Sequence, residues 1–132
     1  MRVLLADDND AFIVAATKVL EPEYDVVASV RDGQAAIDET LRMEPDVVVL
    51  DVSMPVLNGI ETARRLTAAG SRSKIIFLTV HEDRDFVRSA ISAGATGYVV
   101  KSRLAIDLPL ALKEVLQGRS FVSRFDPPQG GL

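Results

Sequence analysis

The strongest constraint on this chain is a set of short apolar runs spaced by amphipathic segments. Val3-Leu4-Leu5-Ala6, Val47-Val48-Val49-Leu50 and Ile75-Ile76-Phe77-Leu78 are continuous apolar runs rich in β-branched residues. Runs of this kind suit parallel strands that are buried on both faces. Tyr24 to Val30 is more polar and reads as an edge strand, and Gly97 to Val100 as a short fifth strand. Helical patterns fill the gaps. Phe12, Ile13, Ala16 and Leu20 share one face, with Asp10 expected as the cap. Ile37 and Leu41 follow Asp32-Gly33, and Ile60 and Ala63 follow Asn58-Gly59 in a helix ending near Gly70. Phe86, Ala90 and Ile91 mark a fourth helix, ended by Gly94. A fifth is expected from Asp107 to Gln117, with Pro109 in its first turn and Gly118 beyond it.

Strand and helix therefore alternate five times along the sequence. Such alternation predicts an α/β fold: a doubly wound, five-stranded parallel sheet with five helices on its two faces. Right-handed crossovers leave few topologies, and the flavodoxin-like order 2-1-3-4-5 is the one expected. Residues 1–118 form the domain in this reading. Residues 119–132, with Pro127-Pro128 and Gly130-Gly131, read as a tail or the start of a linker.

Composition removes several function classes. With 48% hydrophobic residues among 132, a single packed domain is expected rather than disorder. There is no cysteine, so disulfides, thiol catalysis and cysteine zinc sites are out. His81 is the single histidine, which excludes two-histidine mechanisms. Net charge is −4, and no basic cluster offers a nucleic-acid surface. No apolar run is long enough to span a bilayer and no secretory leader is visible, so the chain is expected in the cytoplasm, with no membrane contact.

In open α/β sheets, ligands bind beyond the carboxyl ends of the strands. Asp7 and Asp8 follow the first run, Asp51 follows the third, Thr79 ends the fourth, and Lys101 follows the fifth. Three carboxylates at one edge repel each other and call for a counter-ion, which a hard oxygen-liganded cation such as Mg²⁺ supplies. A carboxylate can also serve as a nucleophile and form an acyl phosphate. Lys101, the Thr79 hydroxyl and the cation are then suited to the phosphoryl oxygens. Taken singly, an Asp at a strand end more often caps a helix, and a lone Thr or Lys is usually structural or solvated. It is the conjunction, at all four strand ends, that points to phosphoryl chemistry.

The segments LLADDND, VVVLDVSMPVLNGIE, IIFLTV and AGATGYVVK resemble the receiver domain of bacterial two-component response regulators over about Met1 to Gly118. The resemblance implies Asp51 as phospho-acceptor, and Asp7, Asp8, Asp51 and the backbone carbonyl of Ser53 as Mg²⁺ ligands. It implies Thr79 and Lys101 as phosphoryl contacts, and Tyr98 as a switch aromatic that turns inward as Thr79 moves toward the phosphate. Ser53 and His81 fall where such domains tune dephosphorylation. The implied donor is a sensor histidine kinase, with a homodimer on phosphorylation as a further expectation.

AGATGYVVK-Ser, with VLQGRSFVS after it, looks most like the NarL/FixJ type, whose members usually carry a C-terminal DNA-binding helix-turn-helix. This chain stops before such a domain. DNA would be reached only through that missing part, and the Pro/Gly tail is expected to lead into it. A stand-alone receiver and a pseudo-receiver that is never phosphorylated are the other readings. Ser102 stands where many receivers have Pro, and Val80 where a small residue is common; Val80 is expected to narrow access to the site. A phosphatase of the haloacid dehalogenase type would want an Asp where Ser53 stands. A flavodoxin would want a Ser/Thr-rich loop in place of Asp7-Asp8.

Overall fold

The computed structural model describes residues 1–124. The elements are β1 (Arg2–Ala6), α1 (Asp10–Leu20), β2 (Asp25–Val30), α2 (Gly33–Met43), β3 (Val47–Leu50) and α3 (Gly59–Ala68). They continue with β4 (Lys74–Thr79), α4 (Arg84–Ser92), β5 (Gly97–Val100), a 3₁₀ turn (Lys101–Arg103), α5 (Leu104–Leu116) and β6 (Phe121–Val122). The sheet runs β2-β1-β3-β4-β5-β6, and every neighbouring pair is parallel. The flavodoxin-like order expected for the first five strands is present, but the sheet has six strands rather than five.

The sixth strand corrects the reading of the tail. Phe121 N donates to Thr96 O at 3.0 Å and Ser123 N to Tyr98 O at 2.7 Å, so the segment closes the open edge of β5. Two residues flanked by serines carry no periodicity, which is why pattern alone missed them. Pro127-Pro128 and Gly130-Gly131 lie outside the described residues.

Alternation along the strands sorts the core into two layers. Leu4, Ala6, Val48, Leu50, Ile75, Phe77 and Tyr98 face α2, α3 and α4, where Ala36, Ala63, Leu66 and Ala90 meet them. Val3, Leu5, Val47, Val49, Ile76, Leu78 and Val99 face α1 and α5, against Ile13, Leu20, Leu108, Leu112 and Val115. Each of the buried Val, Leu, Ile and Phe side chains stabilises the fold by roughly 1.5–3 kcal/mol on full burial. Because both faces are covered, the polar groups that remain are pushed to the strand ends.

Side-chain caps start four helices: Asn9, Asp32, Asn58 and Asp83 accept from the N–H groups of Ala11, Ala35, Glu61 and Phe86. The cap of α1 is thus Asn9, not Asp10. Asn9 holds the extended backbone a cap needs, whereas Asp10 is already helical and pairs with Arg31. α5 also begins earlier than expected, at Leu104, so Pro109 lies inside the helix rather than in its first turn. Burial of Leu104 and Leu108 outweighs the lost backbone bond there. Among the described residues, no helix is long and apolar enough to cross a membrane.

Candidate functional site

The carboxyl ends of β1 and β3 deliver Asp7 and Asp51, which are 4% and 5% exposed, while Asp8 remains at the surface. One oxygen from each of these three carboxylates lies within 4.8 Å of the others. Lys101, arriving from β5, places Nζ 2.8 Å from Asp7 Oδ2 and 3.2 Å from Asp51 Oδ2. The same ammonium sits 4.0 Å over the Phe12 ring centroid, a cation–π contact at the start of α1. Asp7 Oδ1 accepts from Asn9 N at 2.9 Å. Asp7 Oδ2 is buried without a hydrogen bond of good geometry, so the Lys101 charge is its compensation. An orphaned carboxylate oxygen beside two further carboxylates fits a hard divalent cation.

Burial and the neighbouring Asp7 charge push the Asp51 carboxyl above its ordinary value. Lys101, by charge and hydrogen bond, and the Ser53 N–H pull it part of the way back. The loop after β3 is tightly tied. Gly59 N donates to Val52 O at 2.8 Å, and a Cβ on Gly59 would lie 2.0 Å from the Asp51 carbonyl oxygen. Only glycine lets α3 start this close to the Asp51 backbone. Val56, at φ 68, occupies the left-handed region that β-branched residues avoid, a strain held in place by the ties at either end of the loop.

Thr79, Tyr98 and Ser53 converge on His81 rather than on the carboxylates. Thr79 Oγ1 accepts from His81 N at 3.3 Å, Tyr98 Oη donates to His81 O at 2.8 Å, and Ser53 Oγ lies 3.3 Å from His81 Nε2. The His81 ring stacks on Phe86 of α4, with centroids 4.0 Å apart and planes at 16°. Tyr98 is 1% exposed, so its ring is already inside; burial first, then the charges of Asp83 and Glu82, raises its phenol pKa far above the ordinary value. The Lys101–Ser102 peptide is trans, like every other among the described residues. Val80 is 61% exposed, beside this cluster but at the surface.

The family of response regulator receiver domains matches residues 3–113. The chain belongs to that family. It is the receiver domain of a two-component response regulator, a signalling module rather than an enzyme. The receiver is 33% identical over 124 residues to the transcriptional regulatory protein DegU of Brevibacillus brevis, covering 92% of this chain and 52% of that protein. A LuxR-family two-component response regulator from Aurantimonas sp. SI85-9A1 has a solved structure that matches with TM-score 0.88 and 31% identity, over 98% of this chain and 91% of that one. The isolated REC domain of RcsB from Salmonella enterica serovar Typhimurium, solved in the presence of the phosphomimetic BeF3⁻, matches with TM-score 0.86 and 26% identity over 94% of each chain. The receiver spans about half the length of the curated relatives it matches.

Sequence reasoning selected Asp7, Asp8, Asp51 and Lys101, and the fold brings these into one cluster. It missed Phe12 as a partner of Lys101 and His81 as the meeting point of the other three residues. An aromatic five positions after Asp7 was a weak signal for the first. Little local signals the second, since apart from Thr79, two residues away, its contacts come from the loop after β3, from β5 and from α4.

Proposed function

We propose that this receiver accepts a phosphoryl group on Asp51 from a sensor histidine kinase, and that the change is read by an output carried elsewhere. The observation that carries the proposal is the Lys101 ammonium bridging Asp7 and Asp51, which balances a carboxylate cluster that burial alone would not permit. An Asp51 carboxylate oxygen attacks the phosphorus of a phosphohistidine. The P–N bond breaks, a P–O bond forms, and the histidine nitrogen leaves with the bonding pair.

Asp7, Asp8, Asp51 and the Ser53 carbonyl would hold Mg²⁺, which when bound supplies positive charge to the transferring oxygens. Lys101, 2.8 Å from Asp7 and 3.2 Å from Asp51, would exchange its longer contact for one to a phosphoryl oxygen. The Thr79 hydroxyl, now turned to His81 N, would move to another of those oxygens. The inward Tyr98 ring is the arrangement the resemblance associates with the phosphorylated state, and its bond to His81 O ties it to the same loop. Ser53 and His81, facing each other at the mouth of the site, would set the phosphoryl lifetime.

Similarity to LuxR-type regulators supports transcription as the output, through a DNA-binding part beyond residues 1–118; the cytoplasm as compartment and a homodimer on phosphorylation complete the proposal. The test is intact mass after incubation with acetyl phosphate and Mg²⁺. A phosphoryl adduct that is lost with EDTA and absent from Asp51→Asn is expected; no adduct from either acetyl phosphate or a purified kinase would leave a pseudo-receiver. Val80→Ala should accept phosphate faster from acetyl phosphate than the wild type, and equal rates would remove Val80 as a barrier to small donors.

A further inference from the structure

Asp107 is a charged residue inside the packed face of α5, 3% exposed, and phosphoryl chemistry gives it no task. Its carboxylate collects three donors. Arg103 Nε reaches Oδ2 at 2.8 Å and Arg103 Nη2 reaches Oδ1 at 3.3 Å. Ser123 Oγ donates to Oδ2 at 2.7 Å and, with its lone pairs, accepts from Val100 N at 3.1 Å. Desolvation pushes this carboxyl up, but the bonds from Arg103 and Ser123 and the guanidinium charge outweigh it, holding the group below its usual value and ionised.

The residues tied together have a common neighbour. Val100 directly precedes Lys101, and Arg103 ends the 3₁₀ turn that Lys101 begins. One buried carboxylate therefore grips the turn on both sides of the lysine, on the upstream side through the Ser123 hydroxyl. That turn has no side-chain cap of its own. The lysine stem rises from it to meet Asp7, Asp51 and the Phe12 ring, so a shift in the turn shifts the ammonium. Ser123 belongs to the segment that closes the sheet edge, and its N–H is bonded to the carbonyl of Tyr98. The turn that carries the site lysine, the Tyr98 backbone and the β6 segment thus share one polar network centred on Asp107 and Ser123.

We propose that Asp107 and Ser123 are positioning residues for Lys101, and that through them the docking of β6 is coupled to the state of the phosphorylation site. The coupling runs both ways, since whatever moves Lys101 must act on Ser123 and the reverse. The proposal deepens the phospho-acceptor reading and rests on it. The chemistry needs a hydroxyl at position 123, because no apolar group can both accept from Val100 N and donate to a carboxylate.

The experiment compares wild type with Ser123→Ala and Asp107→Asn in the whole chain. Three quantities are read: the rate of Mg²⁺-dependent phosphorylation by acetyl phosphate, the thermal midpoint, and the NMR shift of the Lys101 ε-methylene protons. Those protons lie near the Phe12 ring and report where the lysine sits. Both variants should lose about threefold to tenfold in rate, as small misplacements of a reacting group do. Their Lys101 shift should move toward the random-coil value, while the shifts of methyl groups on the α2–α4 face stay put. Wild-type rates with an unmoved Lys101 shift would overturn the proposal. A wild type that forms no adduct at all would defeat the functional reading instead, and the Lys101 shift would still decide the positioning. Should either variant fail to fold, Arg103→Gln at the half-exposed end of the network takes its place. Amide exchange at Val100 and Ser123 of the wild type, with and without Mg²⁺ and beryllofluoride, is expected to change several-fold on loading; unchanged exchange counts against the coupling.

Discussion

Asp51 carries two opposed pressures: burial and Asp7 favour its neutral form, while Lys101 favours the charged one, and the first pair wins. A carboxyl whose pKa is raised on folding costs stability when ionised. That cost is present at neutral pH and disappears as pH falls through the raised value toward the unfolded value of about 4. Asp51→Asn should therefore melt higher than wild type at pH 7, with the gain shrinking steadily as the pH is lowered. A melt series from neutral to acid pH checks it; a gain independent of pH would mean that charge is not the cause. At the same scale, Phe12→Leu keeps an apolar side chain but removes the ring under Lys101. The lost cation–π contact, roughly 0.5–2 kcal/mol, should slow phosphorylation by acetyl phosphate, and Phe12→Tyr should restore it.

At the scale of elements, the join between β3 and α3 is tightly constrained. Asn58 caps α3, Gly59 N bonds back to Val52 O, and the Asp51 carbonyl lies where a Gly59 side chain would be. Gly59→Ala should destabilise the fold by about 1–3 kcal/mol, since backbone rather than a flexible side chain must yield. Denaturant unfolding gives the value, and the phosphorylation rate should fall with it because the displaced atoms belong to Asp51, the proposed acceptor. Gly59 was visible in the sequence as a helix start after Asn58. Its closeness to Asp51 was not, because that depends on how far α3 leans into the end of β3. α5 teaches the same lesson: Pro109 suggested a first turn, yet packing of Leu104 and Leu108 starts the helix well before it.

For the whole molecule, the acidic edge is a store of repulsion that a bound cation would relieve. A ligand that binds only the folded state raises stability by about 2.7 kcal/mol at 100 times its dissociation constant. Mg²⁺ should therefore raise the melting midpoint, EDTA should reverse the rise, and Asp7→Asn should blunt it. A midpoint indifferent to Mg²⁺ would speak against the cluster as a cation site. Local pattern determined a good deal here. The apolar runs determined the strands, their alternation with helices determined the parallel sheet, and a residue's place just after a run put Asp7, Asp8, Asp51, Thr79 and Lys101 at one edge. Those are properties of neighbours along the chain, and periodicity reads them. Tertiary structure alone decided which carboxylates Lys101 bridges, that Tyr98 lies inside, that His81 gathers Ser53, Thr79 and Tyr98, and that Phe121–Val122 joins the sheet beside a buried Asp107. Apart from the His81–Thr79 bond, which spans two residues, each of these rests on contacts between residues far apart in sequence, whose distances are set by packing and not by any local period.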